Sequence, residues 1–304
     1  MAKNTPTIGC VVVTLNALDH LSHCLLPLLQ SPLKPRVLVV DSSSTDGTIE
    51  IAKTLGAETL VIPRGEFNHG STREKARCLL ATDIICMHTQ DAYFIDNMAL
   101  GKMVAPILEN KAQASYARQI PHPEADFFEA FARSYNYGSE SHIRGIDDVD
   151  KYGVYTFFCS DSCAAYSNRA LDEVGGFPTV LLGEDTVAVA KLLRKGYKIA
   201  YEAEALVRHS HRYSLSQEFK RSFDTGIARM DYQELLKCND SDSKRGMDYV
   251  QKMMKQLIKE APHRLPYAFA NVFSRWLGYR IGQKSVNAPS WFKRALSSQP
   301  YYWK

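Results

Sequence analysis

The first ninety residues alternate between short apolar runs and amphipathic segments. Ile8–Thr14 and Arg36–Asp41 are rich in β-branched residues, and residues 83–88 contain a third apolar run, as expected of strands buried on both faces. Leu18–Leu29 carries apolar residues at helical spacing and stops before Pro32. This alternation predicts a largely parallel sheet with helices on its faces.

The remaining pattern predicts further elements and changes character toward its end. We expect helices at residues 49–55, 72–80, 95–108 and from 184 onward, and strands at 58–62, 112–117, 156–166, 198–201 and 205–208. Residues 138–153 are polar and charged, and we expect this segment to be mobile. From residue 214 the pattern is mostly helical, so an α/β domain is followed by a helical appendage.

Composition narrows the class of protein without changing this picture. The chain has 304 residues, 45% of them hydrophobic and 23% charged, which is ordinary for a globular protein. No window approaches the roughly 18 apolar residues of a membrane span, and the first residues lack the apolar core of a signal peptide. Seven cysteines without Cys-x-x-Cys pairs argue against a disulfide framework or a zinc ribbon. A reducing, cytoplasmic location is expected.

Charge is distributed unevenly along the chain. From Lys244 onward there are 12 Lys and Arg but 2 Asp and Glu, and all three tryptophans (Trp276, Trp291 and Trp303) fall in this tail. One interpretation is a helical surface that rests on an anionic membrane, and the other is a solvated basic face with its tryptophans in a small core. We prefer the first, peripheral at the inner face of the cell membrane. Nucleic-acid binding is not expected, because the basic residues belong to no recognised module.

Polar side chains follow the predicted strands. Asp91 comes directly after the third apolar run, Asp41 ends the second strand, and Thr14 and Asn16 end the first. The carboxyl ends of strands line the ligand crevice of an open α/β sheet, where a carboxylate can hold a divalent cation that in turn holds a diphosphate. A Gly-x-Gly-x-x-Gly motif and a Walker loop are both lacking, which argues against a dinucleotide dehydrogenase or a P-loop ATPase.

Three motifs, in order, resemble those of the family 2 glycosyltransferases. They are Val39-Val40-Asp41-Ser42-Ser43-Ser44-Thr45-Asp46-Gly47-Thr48, Gln90-Asp91 and Gly183-Glu184-Asp185. Within the family, Phe67-Asn68-His69-Gly70-Ser71-Thr72-Arg73, Thr89-Gln90-Asp91-Ala92 and His209-Ser210-His211-Arg212-Tyr213-Ser214 are similar to the bacterial rhamnosyltransferase branch. The resemblance covers roughly residues 7–225.

The resemblance implies both a fold and an activity. The fold is α/β of the GT-A type, the nucleotide-diphospho-sugar transferase fold with a mostly parallel central sheet and flanking helices. Residues 1–225 would be the catalytic domain and residues 226–304 a basic, Trp-bearing helical region. The activity is inverting, non-processive transfer of L-rhamnose from dTDP-L-rhamnose to a hydroxyl of a lipid-linked or oligosaccharide acceptor, in O-antigen type polysaccharide synthesis.

Other activities compete with this interpretation. A UDP-hexose donor would require the same chemistry, and a catalytically degenerate nucleotide-sugar-binding protein would keep the fold. A nucleotidyltransferase is less well supported, because its Gly-rich loop after the first strand is lacking.

The expected cofactor is a divalent cation, Mg²⁺ or Mn²⁺, held by Asp91 and His209. The family's usual Asp-x-Asp is replaced by Thr89-Gln90-Asp91, so one negative ligand is missing. A histidine beyond a late strand completes the metal shell in some members of the fold, and imidazole suits Mn²⁺ better than Mg²⁺. The alternative roles are a capping aspartate and a structural histidine.

The donor is expected to contact five residues near the strand ends. They are Thr14, Asn16, Asp41, Arg73 and Gln90. The resemblance implies that Asp41 hydrogen-bonds the donor base, and Arg73 near a helix start would face the diphosphate. A turn-forming aspartate and a solvated arginine are the alternatives.

Asp185 is expected to be the catalytic base, which takes the proton of the acceptor hydroxyl. Gly176, Phe177 and Glu184 are expected to contact the acceptor. The alternative is that Glu184 or Asp185 caps the helix that begins there or interacts with its dipole.

Overall fold

The computed structural model describes residues 5–238 and 242–303. The described residues form a nine-stranded sheet. Its strands are β1 (Ile8–Thr14), β2 (Arg36–Asp41), β3 (Glu58–Val61), β4 (Ile84–Thr89), β5 (Tyr93–Phe94), β6 (Ala114–Ile120), β7 (His142–Arg144), β8 (Cys163–Ser167) and β9 (Ile199–Arg208).

The sheet is parallel in its first half and mixed in its second. Its order is β3-β2-β1-β4-β8-β6-β9-β5, and β7 pairs with β9. Strands β1 to β4 pair in parallel, as the sequence predicts. Strand β8 then runs antiparallel to both β4 and β6, whereas β6 and β9 are parallel.

Helices cover the sheet and continue beyond it. Those among the described residues are α1 (Leu18–Leu29), α2 (Thr48–Thr54), α3 (His69–Leu80), α4 (Ala99–Leu108), α5 (Phe127–Asn136), α6 (Val149–Tyr152), α7 (Asn168–Glu173), α8 (Glu184–Arg194), α9 (Leu215–Asp231), α10 (Asp242–Glu260), α11 (Leu265–Lys284) and α12 (Ser290–Leu296).

Alternate residues of the buried strands enter two separate apolar cores. Val11 and Val13 of β1 belong to one core, which includes side chains of α3 and α8. Cys10 and Val12 belong to the other, which includes side chains of α1 and α4. Because successive side chains of a strand point to opposite faces, β1 must be apolar at every position to serve both cores. This explains why it reads as a continuous apolar run.

Several elements differ from the prediction. Helix α3 begins at His69, earlier than predicted, because the Asn68 side chain caps it by accepting a hydrogen bond from Ser71 N at 3.1 Å. The strand predicted at residues 156–166 is wrong over its first half, where a 3₁₀ turn spans Gly153–Phe157 and β8 follows. The segment expected to be mobile contains β7 and the fully buried Arg144, whose guanidinium donates to Tyr116 Oη at 2.8 Å.

A bulge in β9 matters for the site. Strand β6 pairs with Glu202 at Ala117 but with Leu206 at Arg118, so β9 carries extra residues between these pairs. The two strands predicted at 198–201 and 205–208 are therefore one strand interrupted by an irregularity. Such bulges re-aim the residues that follow them. Here the ends of β6 and β9 emerge side by side.

The C-terminal helices pack against the rest of the molecule through α9. Gly278 and Gly282 of α11 lie against the backbone of Phe219 and Phe223 of α9, where a Cβ atom would overlap the carbonyl groups. The domain boundary predicted after residue 225 falls within α9, which continues to Asp231. Among the helices of the described residues, none is both long and apolar enough to cross a bilayer.

Candidate active site

Three side chains converge at the edge of the sheet beside β5. Asp91 precedes β5, and His209 and His211 follow β9. Antiparallel pairing of Tyr93 with Arg208 brings these two segments together. Asp91 Oδ2 lies 3.6 Å from His209 Nε2 and 3.2 Å from His211 Nε2. One ligand atom from each residue lies within 4.8 Å of the other two. We refer to these three residues as the Asp-His-His cluster.

His209 is oriented by a buried neighbour. Its Nδ1 bonds to Gln119 Oε1 at 2.9 Å, and Gln119 is only 2% exposed. Gln119 is itself held, because its Nε2 donates to Ser160 Oγ at 3.0 Å and Arg133 donates to its Oε1. Since the amide oxygen accepts, His209 carries its proton on Nδ1 and leaves the Nε2 lone pair facing Asp91.

The cluster fits a divalent metal ion. His209 Nε2 is buried and has no hydrogen-bond partner within the described part of the chain, so its lone pair is available to coordinate a metal ion. Burial lowers the pKa of His209 to about 3 and that of His211 below its usual value, which keeps both imidazoles neutral. Burial alone would raise the pKa of Asp91, but the neighbouring histidines hold it below its usual value. A carboxylate with two neutral imidazoles favours a first-row transition ion over Mg²⁺.

Asp185 lies in the first turn of α8. Its Oδ1 accepts a hydrogen bond from Thr186 N at 2.6 Å, and its Oδ2 accepts one from Asp161 N at 3.3 Å. Burial, followed by the adjacent charge of Glu184, raises the pKa of Asp185 to about 6. A carboxylate with a pKa in this range is suited to general base catalysis near neutral pH.

Arg73 belongs to a buried ion cluster. It is only 2% exposed and pairs with Glu184, while its Nε lies 3.6 Å from Asp161 Oδ2. Burial raises the pKa of Asp161 to about 8, with Asp185 and Glu184 adding to the shift against the charge of Arg73. The charges of Arg73 and Glu184 thus neutralise each other, and their ion pair holds the start of α8 against α3.

A continuous chain of contacts joins the Asp-His-His cluster to Asp185. Hydrogen bonds join His209 to Gln119 and Gln119 to Ser160, the backbone leads from Ser160 to its neighbour Asp161, and Asp161 N donates to Asp185 Oδ2. The two acidic side chains on which the sequence argument depended, Asp91 and Asp185, therefore belong to one region of the molecule.

The other residues expected at the donor lie at the ends of β1, β2 and β4. Asp41 is fully buried and accepts hydrogen bonds from Thr14 Oγ1 at 2.9 Å and from Ser44 N at 2.7 Å. Asn16 is exposed, has a positive φ of 47°, and accepts from Thr45 N at 3.0 Å. The Gln90 side chain bonds both backbone groups of Leu15, which pins the end of β1 to the end of β4.

Gly176 and Phe177, expected at the acceptor, lie against Glu74 of α3. Phe177 N donates to Glu74 Oε2 at 2.8 Å, and its ring is buried with its centroid 5.2 Å from that of Tyr166. Gly176 has a φ of 67°, and a Cβ there would overlap the Glu74 carboxylate. This turn sets the position of the chain that leads into α8.

Sequence reasoning missed two residues at this site, Gln119 and Arg221. It placed His211 next to His209 in the same polar turn, two residues apart in an extended segment, but assigned only His209 as a ligand. Gln119 carried no signal, because its role depends on the bulged pairing of β6 with β9. Arg221 of α9 lies over the Tyr213 ring at 4.5 Å from the centroid, and its charge adds to the effect of burial in lowering the pKa of His211.

Comparison with known proteins places the chain in a family. The model of Glycosyl transferase family 2 matches residues 10–175, which is more than half of the chain. The chain belongs to glycosyl transferase family 2. The expectation that it is a glycosyltransferase is confirmed.

Two curated relatives resemble this family 2 glycosyltransferase over nearly its whole length. The O-antigen chain rhamnosyltransferase WbaN of Salmonella anatum is 37% identical over 270 residues, covering 88% of this chain and 86% of the relative. The O-antigen chain rhamnosyltransferase RfbN of Salmonella typhimurium is 34% identical over 300 residues, covering 97% of this chain and 96% of the relative. The resemblance to the rhamnosyltransferase branch is confirmed.

A solved structure shows the same fold. The mannosyltransferase PcManGT of Pyrobaculum calidifontis, in complex with GDP-Man and Mn²⁺, matches this family 2 glycosyltransferase with a TM-score of 0.58. The match covers 99% of this chain and 78% of the other at 16% identity, so it shows the fold alone. The expected GT-A type fold is confirmed.

Proposed function

We propose that this family 2 glycosyltransferase moves L-rhamnose from dTDP-L-rhamnose to a saccharide hydroxyl, with inversion, in O-antigen type polysaccharide synthesis. The names of the two curated relatives support the sugar and the pathway. The observation that carries the proposal is the Asp-His-His cluster, linked through Gln119 and the Ser160–Asp161 segment to Asp185, a half-buried acid with a raised pKa.

The donor binds along the carboxyl ends of β1, β2 and β4 in this proposal. Thr14, Asn16, Asp41 and Gln90 shape this edge of the crevice, and Asp91, His209 and His211 would hold a divalent cation beside it. When bound, the cation would offset the negative charge that builds on the departing diphosphate. Arg221, which lies over the Tyr213 ring, adds a positive charge near His211. Arg73 acts indirectly, through its ion pair with Glu184.

The chemical step needs one base. The oxygen of the acceptor hydroxyl attacks the anomeric carbon, and the bond from that carbon to the diphosphate oxygen breaks, with its electron pair leaving on the diphosphate. Asp185 takes the hydroxyl proton as the new glycosidic bond forms. Its pKa of about 6 leaves it ionised at neutral pH, yet basic enough to accept the proton.

We further propose that the protein acts at the inner face of the cell membrane on a lipid-linked acceptor. One side of α11 carries three exposed aromatic residues, which we call the aromatic stripe. They are Phe269, Phe273 and Trp276, and they are 64%, 59% and 56% exposed. Aromatic rings beside Lys and Arg suit the interface of an anionic bilayer.

Donor binding and donor hydrolysis test the enzymatic proposal together. Titration calorimetry with dTDP and UDP, each with and without Mn²⁺, should show Mn²⁺-dependent binding with a preference for dTDP. Purified protein should slowly hydrolyse dTDP-rhamnose, and Asp91→Asn should abolish this. A preference for UDP would indicate a UDP-hexose donor. Nucleotide binding with no hydrolysis and no transfer would indicate a degenerate binding protein.

A further inference from the structure

A groove beside the catalytic site has no role in the proposal above. It lies between α5, the end of β6 and the turn that joins α10 to α11, with a volume of about 690 Å³. Small-molecule sites usually occupy about 300–1,000 Å³. Arg118, Arg133 and Arg264 line it together with His263, so we call it the arginine groove.

Within the described residues, the charges of the groove's arginines are not neutralised by ion pairs. Neither Arg118 nor Arg264 forms an ion pair with any residue that the structure describes. The buried Nε atoms of Arg118 and Arg133 also find no hydrogen-bond partner among the described residues. Buried guanidinium N–H groups without partners favour an anionic ligand, above all a phosphate.

The carboxylates of the groove do not cancel this charge. Asp126 caps α5, where its Oδ1 accepts from Phe128 N at 2.9 Å and from Glu129 N at 3.1 Å. Glu260 accepts from Gln256 Nε2 at 2.9 Å. Three guanidinium groups against two carboxylates, one of them engaged in capping, leave the groove positively charged.

The groove also has an apolar wall. Phe127 and Phe131 line it, with their rings stacked at 6.1 Å between centroids. Next to them Phe128 contacts Tyr267 of α11, with ring centroids 5.1 Å apart. Aromatic faces beside guanidinium groups suit a ligand that combines sugar rings or a hydrocarbon chain with a diphosphate.

The position of the groove connects the catalytic site with the exposed aromatic surface. Gln119 and Arg133 both line the groove, and the Gln119 side chain bonds His209 of the Asp-His-His cluster. At the other end, Arg264 directly precedes α11, the helix that carries the aromatic stripe.

We infer that the arginine groove binds the acceptor, a saccharide attached to a lipid through a diphosphate. The diphosphate lies on Arg118 and Arg264, the lipid leaves toward the aromatic stripe, and the saccharide end points past Gln119 to Asp185. This inference rests on the proposed function, because it assumes that the acceptor is lipid-linked. It adds the site and the anionic group by which the acceptor is held.

Binding of farnesyl diphosphate, an amphiphilic diphosphate without a nucleotide, tests the inference. Calorimetry in EDTA removes the contribution of any metal-bound diphosphate. Arg264→Ala and Arg118→Gln should each weaken binding about tenfold or more, since each removes a charge-assisted hydrogen bond. Arg169→Ala is the matched control, because Arg169 lies on α7 with its side chain 90% exposed. Arg264→Ala, at a half-buried turn, keeps the test valid if Arg118→Gln fails to fold.

The outcomes separate the groove from the proposed function. Equal affinity of wild type and both variants would overturn the inference. So would binding of inorganic pyrophosphate as tight as that of farnesyl diphosphate, because the groove would then be a simple anion site. Mn²⁺-dependent dTDP binding should be unchanged in both variants. If the wild-type protein neither hydrolysed dTDP-rhamnose nor preferred dTDP, the proposed function would be refuted, and the farnesyl diphosphate result would still stand on its own.

Discussion

Gln119 shows how one uncharged residue can orient a candidate metal ligand. Its amide oxygen accepts from His209 Nδ1, and this fixes which ring nitrogen faces Asp91. Partners of this kind typically change metal affinity by about 10–100-fold when they are removed. The role is one of positioning, since Gln119 does not itself belong to the Asp-His-His cluster.

We predict that Gln119→Leu weakens Mn²⁺ binding by about 10–100-fold. The substitution leaves His209 without an acceptor for its Nδ1 proton, so the ring is free to change tautomer or rotate. Calorimetric titration of Mn²⁺ in the absence of nucleotide measures the effect. Gln119→Glu keeps an acceptor at the same place, beside Arg133 and the Ser160 hydroxyl, and should bind Mn²⁺ nearly as well as wild type. Equal weakening in both variants would contradict the positioning role.

A pair of isosteric substitutions separates the role of Asp185 from that of its neighbour Asp161. Asp185→Asn should lower turnover by about 100–10,000-fold, the usual contribution of a general base, while dTDP binding persists. Asp161→Asn should retain most of the turnover, because the pKa of Asp161 is raised to about 8 and the amide resembles its protonated form. Steady-state kinetics together with dTDP calorimetry make the measurement. Equal loss of binding and turnover in Asp185→Asn would remove it as the base.

The pH dependence of turnover follows from the pKa of Asp185. Burial raises this pKa to about 6, so the carboxyl group is protonated below that pH and ionised above it. Because a base must be ionised, kcat should fall as pH drops through about 6 and level off above 7. A pH profile of kcat at saturating donor and Mn²⁺ tests this. A profile flat from pH 5 to 8 would show that another group, or another step, limits the rate.

Residues at the site divide sharply by how well the sequence reveals them. Asp91 and Asp41 can be placed at the sheet edge because each directly follows an apolar run, and strand ends of a parallel sheet share one edge. Gln119 lies in a strand whose register shifts by a bulge, and no local pattern records that shift. The ion pair between Arg73 and Glu184 is also invisible to local patterns, because the two residues lie 111 positions apart.

At the level of elements, sequence succeeds where one period dominates. Strands β1 and β2 and helix α1 have the bounds predicted for them, because their apolar positions repeat without interruption. The failure at residues 156–162 has a physical cause. A short apolar run can form either a strand or a tight turn. Thr156 and Phe157 are buried in the 3₁₀ turn, so the apolar run indicates burial but not the type of element.

The contact between α9 and α11 depends on glycine. Gly278→Ala should destabilise the protein by about 1–3 kcal/mol, because the new Cβ overlaps the carbonyl of Phe219 and forces the helices apart. Gly246→Ala is the control: this glycine is exposed in α10, and a Cβ there meets no described atom within 4 Å. It should be neutral or stabilise the protein by up to about 1 kcal/mol through helix propensity. Thermal melts compare the two, and a similar melting temperature for both variants would show that the helices tolerate separation.

On the scale of the whole molecule, the basic charge and the exposed aromatic surface lie in the same region. The basic tail, the aromatic stripe and the arginine groove all involve α10 and α11 or the turn between them, whereas the Asp-His-His cluster lies at the sheet edge next to the groove. The charge asymmetry can be read from sequence alone. The stripe cannot, because Phe269, Phe273 and Trp276 suit a buried face equally well, and only the packing of α11 on α9 shows that they face outward.

If this surface meets a bilayer, both charge and aromatic area should contribute to binding. Flotation with vesicles containing anionic lipid should recover the wild-type protein at low salt, and recovery should fall at 0.5 M NaCl, where a Debye length of about 4–5 Å screens the basic residues. The double substitution Phe273→Ser and Trp276→Ser should reduce recovery even at low salt, because it removes the side chains that insert at the interface. Leu79→Ser is the matched control, since Leu79 is 55% exposed but lies on α3. Recovery that is equal for both variants, or equal on neutral vesicles, would mean that the stripe serves another contact and that the acceptor reaches the groove from solution.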